Sequence, residues 1–442
     1  RYENIQSQYA HKYEKDIRIG NIRIFDPKTL SLTEPSSILI RDKKIFRIDA
    51  PNASGVDEVT IDGKGGVIVP GLYDMHMHTR DERPLFNVLA GVTSVRDMGN
   101  DNEALDSLIY KIESGILAGP RITRLGFIEG ESPFSSSSGI LVESEEEALA
   151  AVETYAEKGF YGVKLYNSMK GDWVPAIVKR AHELDLFVCG HVPAFSNAND
   201  MLKAGFDEMT HINQLMFAWV LEQNEDTRTL LRLTAMKRFP EINVNSLEVN
   251  ETLDLMTNSN VAIDPTLAIH ESLMLSRNGE TQPSMLDYIE NMPANTQRSA
   301  KVARANIADE EEDRAYRLAF DKIVETLKTI KSRGILIVPG TDMGGGFHLH
   351  RELELYLQLG YTPAELLKLA SYDMAQYLGH ADRGILEPGM LADFFLVPDD
   401  PTQDIKAIKT ISMVSRGGVI YFPSEIYPSF GIKPFVDIPV VN

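Results

Sequence analysis

Two histidines, His76 and His78, stand two residues apart in the stretch PGLYDMHMHT at 70–79. The apolar run Val67-Ile68-Val69 precedes them and predicts one buried strand over 67–78. Residues i and i+2 of a strand share a face, so both imidazoles point the same way. On a helix they would lie roughly 200° apart and could not easily grip one ion. An isolated pair of this kind is as readily an ordinary polar strand end, so the rest of the chain has to decide. Other chemistry-bearing residues fall at similar places: Lys164 in GVKLY, His191 in FVCGHV, His211 in EMTHI and Asp342 in VPGTDM. The chain has ten histidines, and four of them belong to this set. Imidazole and carboxylate are normal zinc ligands.

The elements that must position these residues read as strands alternating with helices. Strand-like runs occur at 67–78, 93–98, 121–126, 162–166, 187–192, 208–212, 261–266 and 335–342, with helical patterns in most of the gaps. That alternation predicts a (β/α)8 TIM barrel over 67–381, whose chemistry sits at the C-terminal strand ends. All six residues above lie at such ends. Residues 1–66 and 382–442 share a texture of short strands broken by Gly, Pro, Asn and Asp, and are expected to form one β-sandwich-like domain from both termini. The gaps 213–260 and 267–334 are too long for plain connections and are expected to hold inserted helices. GESPFSSSSG at 130–139 reads as a loop after the third strand.

Composition narrows the partners. The 442 residues are 43% hydrophobic, ample for a large core, and carry a net charge of −20. Such an acidic surface disfavours nucleic acid and anionic membranes, and no apolar run is long enough to span a bilayer. The acidic runs SEEEA (144–148) and DEEED (309–313) read as helix faces or helix starts. Cys189 is the one cysteine, so no intrachain disulfide forms; that fits the cytosol without excluding the periplasm. The polar start at Arg1 reads as a trimmed terminus. A removed signal peptide would make the protein periplasmic or secreted.

As a set, these motifs resemble the amidohydrolase superfamily of metal-dependent hydrolases, in its prolidase-like and imidazolonepropionase-related branch. The HxH strand, GVKLY, then GH, then TH, the final aspartate and the ending YLGHADRGILEPGMLADFFLV all carry the likeness. The resemblance implies two divalent metal ions, most readily zinc. His76, His78 and Asp342 would hold the first, His191 and His211 the second, and a carbamate on Lys164 would bridge them beside a hydroxide. Burial beside cations makes such a carbamate reasonable, since it exposes the neutral amine of lysine. Lys164 and Asp342 are the catalytic candidates, with Asp342 moving the proton of the attacking water to the leaving nitrogen.

Tyr166 shares strand parity with Lys164 and is a candidate substrate contact, as are His270 beyond strand seven and His348 in MGGGFHLH; packing roles are their bland alternatives. His350 is in the same position as His348. Cys189 reads as an interior filler, and His11, His182 and His380 as surface residues. The expected activity is hydrolysis of amide or peptide C–N bonds in a small substrate, a dipeptide or an N-acyl amino acid. The alternatives are a one-metal cyclic-amide hydrolase or deaminase, a lactonase or phosphotriesterase, and a scaffold protein that has lost catalysis. Packing of the inserted helices between copies, giving a homo-oligomer, stays open.

Overall fold

The computed structural model describes residues 1–80 and 84–442. Seven parallel strands curve round one core: β1 (Leu72–Met77), β2 (Val92–Asp97), β3 (Arg121–Gly130), β4 (Gly162–Leu165), β5 (Phe187–Gly190), β6 (Glu208–Thr210) and β7 (Ala262–Asp264). Each pairs with the next in chain order, as short crossover connections require. The eighth position belongs to residues 335–342, which form no regular ladder. A single bridge joins Ile337 to Ile263. On the other side the Met75 N–H donates to the Pro339 carbonyl, and the Asp342 N–H to the His76 carbonyl. Pro339 lacks an N–H, so this segment could not have supplied a full ladder. Buried Asp74 pins it instead, accepting from the Thr341 hydroxyl at 2.7 Å and the Thr341 N–H at 3.0 Å. The barrel is therefore nearly closed.

The expected single strand over 67–78 is two strands. Val67–Pro70 pairs with Ile17–Asp26 and with Phe394–Val397, in a nine-stranded sheet built from both ends of the chain. At Gly71 the chain turns into β1. A Cβ there would lie 1.9 Å from Thr93 Oγ1, so only glycine passes. Seven of these strands follow one path, and Ser31–Leu32 and Val59–Asp62 pair off it with Ile17–Asp26.

Helices cover the barrel. Both acidic runs are helix starts: Ser144 Oγ accepts the Glu147 N–H at 3.2 Å, and Asp309 Oδ1 the Glu312 N–H at 2.9 Å. The carboxylates that follow sit on the positive end of each helix dipole. The segment 213–260 contains helices Leu231–Thr234 and Leu247–Asn258, and 267–334 contains Leu267–Leu275 and Glu310–Ser332.

The barrel interior holds an ion pair. Arg96 and Glu208 are fully buried and joined by two bonds of 2.9 and 2.5 Å; the Arg96 Nε–H also donates to the Met75 carbonyl at 2.8 Å. Tyr377 O–H donates to Glu208 at 2.9 Å from a helix at the opposite end of the chain. Breaking a buried pair by removing one partner strands a charge away from water. Arg96→Ala is expected to cost about 3–5 kcal/mol of stability, read as a fall in the urea midpoint. A change under about 1 kcal/mol would mean that water reaches Glu208.

Candidate metal centre

The strand ends bring His76, His78, Lys164, His191, His211 and Asp342 to one place. The ligand atoms of His76, His78 and Asp342 lie within 4.8 Å of one another. Asp342 Oδ1 is 3.8 Å from His76 Nε2 and 3.4 Å from His78 Nε2, and its Oδ2 is 3.9 Å from His211 Nε2. The His191 and His211 rings stand edge to face with centroids 4.7 Å apart. Lys164 Nζ lies 3.2 Å from His76 Nε2.

Each imidazole is held from behind through Nδ1. The partners are Asp264 Oδ2 for His76 (2.6 Å), the Gly99 carbonyl for His78 (2.6 Å), Asn167 Oδ1 for His191 (2.8 Å) and Thr266 Oγ1 for His211 (2.7 Å). The Thr266 hydroxyl donates to the Pro265 carbonyl at 2.8 Å, so toward His211 it accepts. All four contacts favour Nδ1–H and free the Nε2 lone pair, which in His76, His78 and His211 lies within 3.9 Å of Asp342. This is how a ring is oriented for a metal. His191 Nε2 is buried without a hydrogen-bond partner, and a cation at that point would satisfy it. The donor set fits divalent metal.

Electrostatics agree. Burial, then Lys164, holds His76 well below the usual histidine range; burial, then the neighbouring imidazole, does the same for His191 and His211. These rings are neutral and able to ligate. Burial also lowers the Lys164 ammonium, against the opposing pull of Asp342.

The backbone at this rim is strained. His211, Thr266 and Asp342 have φ of 64°, 47° and 52°, values uncommon for residues with a side chain and costly for a β-branched threonine. Gly340, two residues before Asp342, admits no Cβ: it would lie 2.6 Å from Asp264 Oδ1.

A pocket of about 100 Å³ opens onto the cluster, lined by Tyr166, His191, His211, Arg232, His270 and Asp342 among others. Tyr166 and His270 thus lie where the sequence placed them. Tyr166 packs on His191 with centroids 4.1 Å apart; His270 donates its Nδ1–H to the Thr266 carbonyl at 2.9 Å. His348, on helix Phe347–Leu357, is not among the residues lining this pocket. His350 is buried elsewhere, between Tyr288 O–H and the Ala90 carbonyl. Cys189 is buried in the interior as expected, and burial pushes its thiol up to about 12. His182 is exposed, but His380 is half-buried and bonded to Tyr73 O–H at 3.0 Å, so it is no surface residue. His11 is half-buried against Glu425.

The sequence of the Amidohydrolase family, taken as a pattern, matches residues 67–421. The chain belongs to the amidohydrolase family. Curated relatives match it locally. A dihydroorotase of Clostridioides difficile (strain 630) is 33% identical over 101 residues, covering 21% of this chain and 24% of its own. A dihydroorotase of Wolbachia sp. subsp. Drosophila simulans (strain wRi) is 36% identical over 114 residues, covering 23% and 25%. The chain thus spans about a quarter of the length of these relatives. Solved structures share the fold throughout. A Xaa-Pro dipeptidase with bound methionine has a TM-score of 0.67 at 21% identity, covering 92% of this chain and 100% of that one. The bottromycin amidohydrolase has a TM-score of 0.71 at 17% identity, covering 98% and 93%.

Sequence reasoning missed the residues behind the ligands: Asp264, Asn167 and Thr266. Asp264 ends β7, and the strand-end rule that picked out the histidines would have flagged it. Asn167 and Thr266 carry no such signal. In this amidohydrolase, Asn167→Ala is expected to weaken zinc binding about 10–100-fold in a chelator competition. Unchanged affinity would show that His191 needs no support from Asn167.

Proposed function

We propose that the protein is a metal-dependent hydrolase of C–N bonds in small amides, with dipeptides and N-acyl amino acids as the substrate class. One observation carries this reading: four histidines are anchored through Nδ1, three of them set Nε2 within 3.9 Å of Asp342, and buried Lys164 stands beside His76. The family match and the shared fold of a Xaa-Pro dipeptidase support it.

His76, His78 and Asp342 would hold one divalent ion, and His191 and His211 a second. Lys164, as a carbamate, would add an anionic oxygen ligand to that centre. Metal in such a site acidifies water and polarises a carbonyl oxygen. Asp342 is the residue placed to move protons. Its side chain is 24% exposed, toward the pocket. It takes the proton of the attacking water at a carboxylate oxygen and returns it to the amide nitrogen, a poor leaving group until protonated. Tyr166 and His270 form part of the wall against which the substrate is oriented. The neutral imidazoles keep their lone pairs for ligation and do not compete for that proton.

The dihydroorotase matches favour a second reading, hydrolysis of a cyclic amide at the same centre. The two readings separate by assay. Zinc-loaded protein is expected to carry two ions per chain and to cleave members of a dipeptide and N-acyl amino acid panel. Lys164→Ala is expected to lose at least one ion and about 10²–10⁴-fold in kcat/KM. One ion per chain with activity surviving Lys164→Ala would overturn the two-metal reading. Cleavage of cyclic amides alone would establish the second.

A further inference from the structure

The pocket over the centre contains an arginine that has no partner among the described residues. Arg232 lies on the short helix Leu231–Thr234 of the first insertion and is half-buried. Among the described residues its guanidinium makes no hydrogen bond and no ion pair. Its neighbours in the same insertion are paired. Arg228 is held by Asp226 at 2.8 Å and Arg238 by Glu225 at 2.7 Å. Other arginines withdrawn from water are paired too: buried Arg96 with Glu208, and half-buried Arg121 with Asp393 and Arg351 with Glu271. A guanidinium withdrawn from water without an anion is costly, and folding alone gives no reason to keep one there. Its charge is felt across the site. After burial and other nearby charges it contributes to the lowering of His191, His211 and His270.

A second group points to the same ligand. Gln214 is 2% exposed and lines the pocket beside Arg232. Its Oε1 accepts the Val192 N–H at 3.1 Å, which leaves the Nε2 amide hydrogens; that Nε2 is buried without a hydrogen-bond partner. A planar guanidinium fork with an unpaired amide donor in one pocket is a receptor for a carboxylate. The remaining wall includes Ile269 and Leu273, apolar surface that a short aliphatic side chain would cover.

From this we infer that Arg232, assisted by Gln214, binds a free carboxylate of the substrate, so that the amidohydrolase selects amides of amino acids with a free carboxylate and a small apolar side chain over neutral amides. The inference rests on the hydrolase reading above and specifies its substrate.

The test compares glycyl-L-valine with glycyl-L-valinamide on zinc-loaded wild type and Arg232→Gln. A charged hydrogen-bonded pair of this kind is worth about 10–100-fold, so wild type is expected to favour the acid by at least that factor in kcat/KM. Arg232→Gln is expected to erase the preference, chiefly through KM for the acid. Arg232→Lys should restore part of it, since it keeps the charge and loses the fork. Metal content and thermal midpoint of each variant show that the centre is intact. Equal handling of acid and amide by wild type, or a preference that survives in Arg232→Gln, would overturn the inference. If wild type cleaves neither compound, the hydrolase reading fails separately. Calorimetric binding of L-valine and L-valinamide then decides: binding confined to the acid and lost in Arg232→Gln upholds the carboxylate site, and indifference between the two refutes it.

Discussion

His76 and Asp264 meet at 2.6 Å inside the barrel, where neither touches water. Much of the molecule follows from keeping that contact. Burial pushes the imidazolium down and the carboxyl up, so each group resists the charged state the other would stabilise. The interior answers with further polar groups. Arg96 reaches within 3.9 Å of Asp264 while pairing with Glu208. Lys164 faces the other nitrogen of His76. The barrel is thus an apolar shell around a chain of polar side chains that runs from Glu208 through Arg96, Asp264 and His76 to the mouth.

The mouth is stiff where it matters. Three residues of the rim hold left-handed backbone although none is glycine, and Gly340 is glycine because nothing larger fits beside Asp264 and His76. Strain of this sort persists only where the surroundings overdetermine it. Here they do. The His211 N–H donates to the Asp264 carbonyl and the Asp342 N–H to the His76 carbonyl, so backbone and side chains of the same residues lock one another.

What the sequence revealed and what it hid divide along a physical line. Strand ends were visible because burial leaves a run of apolar residues, and a polar residue closing such a run stands out; that picked out the six residues which the fold brings together, while the helix starts at Ser144 and Asp309 showed as acidic runs. The break at Gly71 was invisible, because Val67–Pro70 and Leu72–Met77 are each buried and read as one run. The irregular segment at 335–342 was read as a strand for the same reason, its Pro339 and Gly340 being the only clue. His380 was misjudged because its partners, Tyr73 and Thr123, are hundreds of residues away. The supports Asn167 and Thr266, and Arg232 in the pocket wall, are defined by what they face, which spacing along a chain does not encode; Asp264 closes a strand and was legible by the same rule as the histidines.

The division at Gly71 has a consequence for the order in which the molecule is made. Val67–Pro70 lies between a strand synthesised before it, Ile17–Asp26, and one synthesised more than three hundred residues after it, Phe394–Val397. Until the ribosome has delivered the second, that piece has one open edge, and the histidine strand begins two residues beyond it. An unpaired edge invites the wrong neighbour. Phe394–Val397 is thus a clasp for strands made long before it, and a nascent chain that stops short of Phe394 would carry His76, His78 and the residues they meet without the frame that sets the first two in register.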